Sequence, residues 1–198
     1  KVLENNIGYI AISDFDGGCA EEFETKYKKL KEQGITKLII DIRNNGGGIV
    51  DEAIDILELM CDKGSTLLVT ADKDGEEDVT KSKENPIIDM PTVVLMNEYS
   101  ASASEILAGA LKDNEKAILV GMTTYGKGVI QELHQLSDGS GLKITTNEYF
   151  TPKHNKINEI GIKPDVEIDL SDEAKVTLNL KDEDDAQLQK AIEVLKAE

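Results

Sequence analysis

Three serines alternate with alanines in one short segment, Ser100-Ala-Ser-Ala-Ser, which lies between an apolar run and a helical pattern. The middle one, Ser102, is followed three residues later by Glu105, the spacing of a capping box at a helix N-terminus. A helix N-terminus also supplies unpaired amide donors and the positive end of the helix dipole, which stabilise a developing oxyanion. Ser102 is therefore either a helix cap or a nucleophile. In the second case the amide of Ala103 is placed to bind the oxyanion.

A serine nucleophile needs a base, and histidine and lysine are the candidates. Neither His134 nor His154 has a setting that ties it to a serine and a carboxylate. Lys127 lies between Gly126 and Gly128 beside apolar residues, a pattern that indicates a confined backbone. Lysine can act as a base when burial or a nearby positive potential leaves part of it neutral. Lys127 is therefore the candidate base, and the alternative is that it is an ordinary solvated lysine.

A run of three glycines, Gly46 to Gly48, is a second possible source of oxyanion donors. It follows the apolar run Leu-Ile-Ile-Asp-Ile and precedes a helical pattern. Without side chains, a substrate carbonyl can approach the backbone of such a segment closely. The alternative is a flexible strand-to-helix loop with no role in binding.

The elements that must position these residues alternate between strand and helix. Hydrophobic periodicity predicts strands at residues 8–15, 37–43, 65–70, 92–96, 117–120, 129–136 and 142–150. It predicts helices over residues 20–34, 50–61 and 102–112, and a C-terminal helix over about residues 183–198. The charged stretch at residues 73–85 is predicted to be a hairpin or an excursion. The predicted fold is α/β, one domain over residues 1–198 with a mixed sheet and flanking helices.

Composition excludes several classes of protein. The 198 residues carry 22 lysines and arginines against 39 aspartates and glutamates, a net charge of −17, with no basic cluster. Nucleic acid and anionic membranes are therefore not expected partners. No apolar run is long enough to span a bilayer. Cys19 and Cys61 lie far apart with no metal-ligand spacing, so free thiols are the default prediction and a single disulfide remains open.

Several blocks of the chain resemble the carboxyl-terminal processing (tail-specific) protease family. In order these are Asp41-Ile-Arg-Asn-Asn-Gly-Gly-Gly, Ser100-Ala-Ser-Ala-Ser-Glu-Ile-Leu-Ala-Gly-Ala-Leu-Lys-Asp, Gly121-Met-Thr-Thr-Tyr-Gly-Lys-Gly-Val-Ile-Gln, Leu136-Ser-Asp-Gly-Ser-Gly-Leu-Lys-Ile-Thr and Gly161-Ile-Lys-Pro-Asp-Val. The resemblance implies a core like that of the crotonase and Clp-protease group. It also implies a serine endopeptidase that cleaves near apolar C-terminal tails through an acyl-enzyme, with no cofactor or metal.

Taken motif by motif, the resemblance assigns a role to individual residues. It places the nucleophile on Ser102 and the general base on Lys127, as a Ser-Lys dyad. It places the residue that orients the lysine on Gln131. The oxyanion donors fall on Ala103 and, in the glycine loop, on Gly47.

The chain also departs from the family pattern. The family usually has proline at the position of Gly46, so the oxyanion loop is expected to be looser here. His154 and Lys156 replace a usual glycine and serine, so that turn is expected to be altered. Family members generally carry a PDZ domain that binds substrate tails by strand addition, and no PDZ sequence is present in these 198 residues. Bacterial members usually act outside the cytoplasm, so an extracytoplasmic location is expected.

Two alternatives from other functional classes stay open. Gly121-Met-Thr-Thr-Tyr-Gly-Lys-Gly nearly matches a phosphate-binding loop, with Asp41 as a possible magnesium ligand, although Gly128 stands where the pattern requires Ser or Thr. The residues after it fit a helix as well as a strand. The other alternative is a peptide-binding module without activity on the same scaffold.

Overall fold

The computed structural model describes residues 1–178 and 180–197, apart from the side chain of Glu132. The strands are β1 Val2–Leu3, β2 Ile7–Ala11, β3 Lys37–Asp41, β4 Thr66–Asp72, β5 Glu77–Lys81, β6 Thr92–Met96, β7 Ile118–Gly121, β8 Val129–Gln135, β9 Gly141–Phe150 and β10 Val166–Glu167. The α-helices are α1 Cys19–Glu32, α2 Val50–Glu58, α3 Ala103–Asp113, α4 Asp172–Val176 and α5 Ala186–Ala197. A 3-10 turn covers Glu4–Asn6.

The main sheet has six strands in the order β1-β2-β3-β6-β7-β10. All pairs are parallel except β1 with β2. The central strands are continuous apolar runs because a parallel sheet is covered on both faces. The carboxyl ends of the neighbouring strands β3 and β6 lie at one edge, so the loops that follow them meet there.

Alternate side chains of the central strands enter two separate cores. Leu38, Ile40 and Val94 belong to the larger core, which includes buried residues of α1, α2 and α3. Ile39 and Val93 belong to a smaller core on the opposite face, which α5 covers with Leu188, Ala191, Ile192 and Leu195. The C-terminal helix therefore closes the second face of the sheet.

A second, antiparallel sheet has the order β5-β4-β9-β8. Strand β8 pairs only with β9, so it is an edge strand, and its hairpin carries exposed apolar side chains at Leu133, Leu142 and Ile144. This sheet positions the segment that enters β8, where Lys127 lies.

The structure confirms the predicted α/β fold with a mixed sheet and flanking helices. The charged stretch forms a hairpin, since β5 pairs antiparallel with β4. The first strand ends at Ala11 rather than at residue 15, and residues 12–14 leave the sheet before an isolated bridge at Phe15. The C-terminal helix covers Ala186–Ala197, and the predicted end at Glu198 lies outside the described residues. Within the described residues, no helix is long and apolar enough to cross a membrane.

Candidate active site

Ser102 occupies a strained turn directly before α3. Its backbone angles are φ 57° and ψ −117°, a sparsely populated conformation for a residue with a side chain. Glu105 makes the return bond of the predicted capping box, since its carboxylate accepts the Ser102 N–H at 2.9 Å. An N-cap ordinarily has extended backbone angles, so capping alone does not require the positive φ of Ser102. Strain of this kind is concentrated at functional sites, which favours a role beyond capping.

The glycine loop after β3 packs directly against this turn. A Cβ added to Gly47 would lie 2.7 Å from the Cβ of Ser102 and 3.0 Å from the amide nitrogen of Ala103. Gly47 also has φ +101°, a conformation that favours glycine. As the first residue of α3, Ala103 has no acceptor for its N–H within the helix. The structure thus brings together Ser102, Ala103 and Gly47.

Asn45 holds the glycine loop in place from a fully buried position. Its Oδ1 accepts the Gly47 N–H at 2.8 Å, and its Nδ2 donates to the Ile12 carbonyl at 2.8 Å. Its own carbonyl accepts the Ala101 N–H at 3.0 Å and the Ser104 hydroxyl at 3.0 Å. The Gly47 amide, named above as an oxyanion donor, is therefore engaged with Asn45 in this structure. Gly46, where the family usually has proline, has open space around the Cβ position.

Glu105 joins the serine segment to the lysine segment, and the sequence suggested only its capping role. Its side chain is fully buried. One carboxylate oxygen accepts the N–H of Ser102 at 2.9 Å and the N–H of Lys127 at 2.8 Å. The other accepts the N–H of Gly126 at 2.6 Å and the hydroxyl of Thr124 at 2.6 Å. The capping-box position was the one signal in the sequence, but it could not identify the partners beyond the helix.

Lys127 lies in the extended segment between β7 and β8 and is exposed. Both of its backbone polar groups are held by side chains. Glu105 accepts its N–H, and the hydroxyl of Tyr149 donates to its carbonyl oxygen. Tyr149 comes from the end of β9, and its own N–H donates to the Gly128 carbonyl at 3.0 Å. The confined backbone predicted at Lys127 is therefore observed.

Gln131 lies on the edge strand β8 and is exposed. Its amide Nε2 is 3.4 Å from the hydroxyl oxygen of Thr145 on β9, a long cross-strand hydrogen bond. The structure therefore places Gln131 on the strand that follows Lys127, with Thr145 as its hydrogen-bond partner.

A buried ionic cluster precedes the glycine loop. The guanidinium of Arg43 contacts Asp41 at 2.6 Å and Asp185 at 2.8 Å, and the hydroxyl of Tyr9 donates to Asp41 at 2.6 Å. Asp185 also accepts the N–H of Leu188 at 2.9 Å and so caps α5. The cluster ties the C-terminal helix to the strand that leads into the site.

The structure contradicts the phosphate-loop alternative. That motif requires a helix after the loop so that the helix N-terminus binds phosphate, and here residues 122–128 lead into strand β8. Asp41, the possible magnesium ligand, is committed to Arg43 and Tyr9. Cys19 and Cys61 are free, and burial raises the pKa of the Cys61 thiol to about 12.

Several known proteins are similar to this chain in sequence and in structure. The model of peptidase family S41 matches residues 6–168. A carboxyl-terminal-processing protease of Synechocystis sp. is 42% identical over 192 residues, which cover 96% of this chain and 44% of the relative. A carboxy-terminal processing protease of Bacillus subtilis is 38% identical over 89% of this chain and 38% of the relative.

A solved structure has the same fold. The photosystem II D1 C-terminal processing protease superposes with a TM-score of 0.78 and 38% identity, over 85% of this chain and 45% of that protein. The chain thus spans less than half the length of these relatives. The family match covers most of the chain, and the sequence blocks and the fold agree with it. The chain therefore belongs to peptidase family S41, together with carboxyl-terminal processing proteases.

Proposed function

We propose that this chain is the core of a serine endopeptidase in which Ser102 is the nucleophile and Lys127 the general base. One observation carries the proposal: the buried carboxylate of Glu105 binds the backbone N–H groups of both residues on the same oxygen. The two segments are far apart in sequence, yet they share this anchor. Ser102 also has the strained backbone and the neighbouring helix N-terminus expected of a nucleophile.

The proposed reaction proceeds through an acyl-enzyme. The Ser102 oxygen attacks the scissile carbonyl carbon while its proton moves to the neutral amine of Lys127. The amide of Ala103 and a donor of the glycine loop, Gly47, stabilise the oxyanion. The protonated Lys127 then gives its proton to the leaving amine as the peptide C–N bond breaks. Water attacks the ester carbon while Lys127 takes its proton. The bond between the acyl carbon and the Ser102 oxygen then breaks, and Lys127 returns the proton to that oxygen, which releases the acid product and restores free Ser102 and neutral Lys127.

For the Gly47 N–H to bind an oxyanion, it must leave its bond to Asn45. The Lys127 side chain is exposed in this structure, and a bound peptide would cover it. In this proposal Gln131 orients the Lys127 amine once the side chain is in place.

The substrates we propose are proteins and peptides cleaved near apolar C-terminal tails. The names of the relatives, C-terminal processing proteases, support this substrate class. We also propose that residues 1–198 form one peptidase core domain and that the protein carries a PDZ domain elsewhere, because the relatives are more than twice as long as the matched part. An extracytoplasmic location is part of the same proposal.

The test is proteolysis of an unstructured protein with an apolar C-terminus by the full-length protein. The variants are Ser102→Ala and Lys127→Ala, with Lys73→Ala as the matched control because Lys73 is exposed and contacts Asp74 in the β4–β5 turn. A fluorophosphonate probe followed by mass spectrometry reports which serine is acylated. We expect cleavage and labelling of Ser102 in the wild type and in Lys73→Ala, with a rate that rises toward alkaline pH.

Loss of cleavage in both site variants would establish the roles of Ser102 and Lys127. Undiminished cleavage by either variant would refute the assignment of that residue. A wild-type protein that binds the tail peptide, fails to cleave it and leaves Ser102 unlabelled would instead be the peptide-binding module.

A further inference from the structure

Tyr149 is a buried polar residue at the candidate site that has no role in the proposed reaction. It is only 1% exposed and is among the largest fully buried side chains of the protein. Its position near the end of β9 is set by pairing with Thr70 on β4 and by its N–H bond to the Gly128 carbonyl. The backbone that carries the ring is therefore fixed by the second sheet.

The phenol hydroxyl contacts the lysine of the proposed dyad. It donates its proton to the carbonyl oxygen of Lys127. A neutral phenol has one proton, and that proton is used in this bond. Burial raises the pKa of the Tyr149 phenol and the nearby Ser102 side chain lowers it by less, so the phenol keeps its proton at neutral pH.

Two buried side chains thus hold the Lys127 peptide from two sides. Glu105 accepts the N–H of Lys127 together with that of Ser102, and the hydroxyl of Tyr149 donates to the Lys127 carbonyl. Glu105 alone leaves this carbonyl unrestrained. Rotation of the Lys127 peptide would redirect the lysine side chain relative to Ser102.

We propose that Tyr149 is a positioning residue of the active site, whose hydroxyl fixes the orientation of the Lys127 peptide and so of the lysine side chain. This inference rests on the proposed function, because it assumes that the oxygen of Ser102 reacts. Tyr149 takes no part in bond making or breaking. Its effect is on the orientation of the groups that do, so it acts on the chemical step and not on the binding of a peptide.

The test compares two variants of the full-length protein, each of which lacks the phenol oxygen of one buried tyrosine. Tyr149→Phe keeps the ring and deletes the hydroxyl. Tyr27→Phe is the matched control, because Tyr27 is 4% exposed and donates to the Ile87 carbonyl at 3.3 Å, outside the Ser102 and Lys127 segments. The readouts are kcat and KM for a tail peptide, the rate of fluorophosphonate labelling at Ser102, and the midpoint of urea unfolding.

We expect Tyr149→Phe to lower kcat and the labelling rate about tenfold, the value of one neutral hydrogen bond, with KM unchanged. Tyr27→Phe should leave kcat and labelling within about twofold of the wild type, since only a distant bond is lost. A purely structural role would shift the unfolding midpoint and leave the labelling rate of the folded protein unchanged.

Wild-type rates of labelling and turnover in Tyr149→Phe would overturn the inference and leave the proposed function standing. Equal losses in Tyr149→Phe and Tyr27→Phe would overturn it as well. A wild-type protein without cleavage or labelling at Ser102 would refute the proposed function itself, so the two failures are distinct.

Discussion

Replacing Glu105 by glutamine changes one oxygen of a fully buried carboxylate into an NH2 group. The carboxylate accepts four hydrogen bonds, two on each oxygen, from Ser102, Lys127, Gly126 and Thr124. A glutamine side chain has one acceptor oxygen and two N–H donors. Whichever way the amide is oriented, two of the four donors then face another donor.

The size of the effect follows from the two groups that lose their acceptor. A buried donor left without a partner costs about 1–3 kcal/mol, so two of them cost about 2–6 kcal/mol of unfolding free energy. The low end of this range of unfolding free energy applies if the glutamine NH2 group faces Thr124, because the Thr124 hydroxyl can then turn away from it. The amide of Gly126 cannot reorient and stays unpaired. Activity should also fall sharply in the fraction that remains folded, because the Ser102 and Lys127 segments lose part of their shared anchor.

The assay is urea unfolding followed by circular dichroism, together with peptide cleavage under folding conditions. Glu58→Gln is the matched control, because the Glu58 carboxylate also accepts several bonds, from Ser82, Lys83 and Glu84, but it is only half-buried. Water can replace those partners, so a smaller loss of stability and normal cleavage are expected. Equal losses of unfolding free energy in the two glutamine variants, or normal cleavage by Glu105→Gln, would refute the reasoning.

Three further predictions concern residues around the site. Gly47→Ala should lower the rate of cleavage about 100-fold, because the new Cβ would lie 2.7 Å from the Cβ of Ser102 at a φ of +101°. Gly46→Ala should cleave normally, because the space around its Cβ position is open. Steady-state kinetics of the two variants test this prediction, and equal rates would refute it. Arg43→Met should lower the free energy of unfolding in urea by about 3–5 kcal/mol, because it leaves two buried aspartates without their cation. Lys1→Met is the control, since its exposed ion pair is worth under about 1 kcal/mol. A loss in Arg43→Met no larger than that in Lys1→Met would contradict the prediction. Two amide hydrogen bonds at the start of α1 lower the pKa of Glu52 below its usual 4.5, so its stabilisation is present above that pH and is lost as the pH falls through the lowered pKa. Unfolding midpoints between pH 6 and pH 3 should therefore fall more steeply for the wild type than for Glu52→Gln, and parallel curves would refute the assignment.

The elements that the sequence predicted correctly are those whose pattern is local and long. The apolar runs of β3 and β6 and the helical spacing of α1 and α5 repeat over several residues, so periodicity is sufficient to identify them. The short elements were missed. Strands β1 and β10 have two residues each and α4 has five, too few to show a period. Their place depends on neighbouring strands that the local sequence does not specify.

The residues of the candidate site also fall into two groups, those that the sequence identified and those that it did not. Ser102, Ala103, Lys127 and the glycine loop stand in short motifs, and the resemblance of these motifs to a protease family indicated their roles. The role of Tyr149 was not visible, because an apolar–polar strand pattern gives no sign of which hydroxyl will face the site. The hydrogen bond from the Gly47 amide to the Asn45 side chain could likewise be identified only in the tertiary structure.

The sequence alone therefore determined the fold class and the order of the longer elements, because their periodicity is local, and the resemblance of its motifs to a protease family indicated the candidate nucleophile and base. Only the tertiary structure decided which groups hold them. Strand order brings β3 beside β6, so the glycine loop meets the serine turn. Glu105 and Tyr149 each reach Lys127 across 22 residues of chain. Such contacts depend on how sheets and helices pack, and no local pattern encodes the direction in which a buried carboxylate or phenol will point.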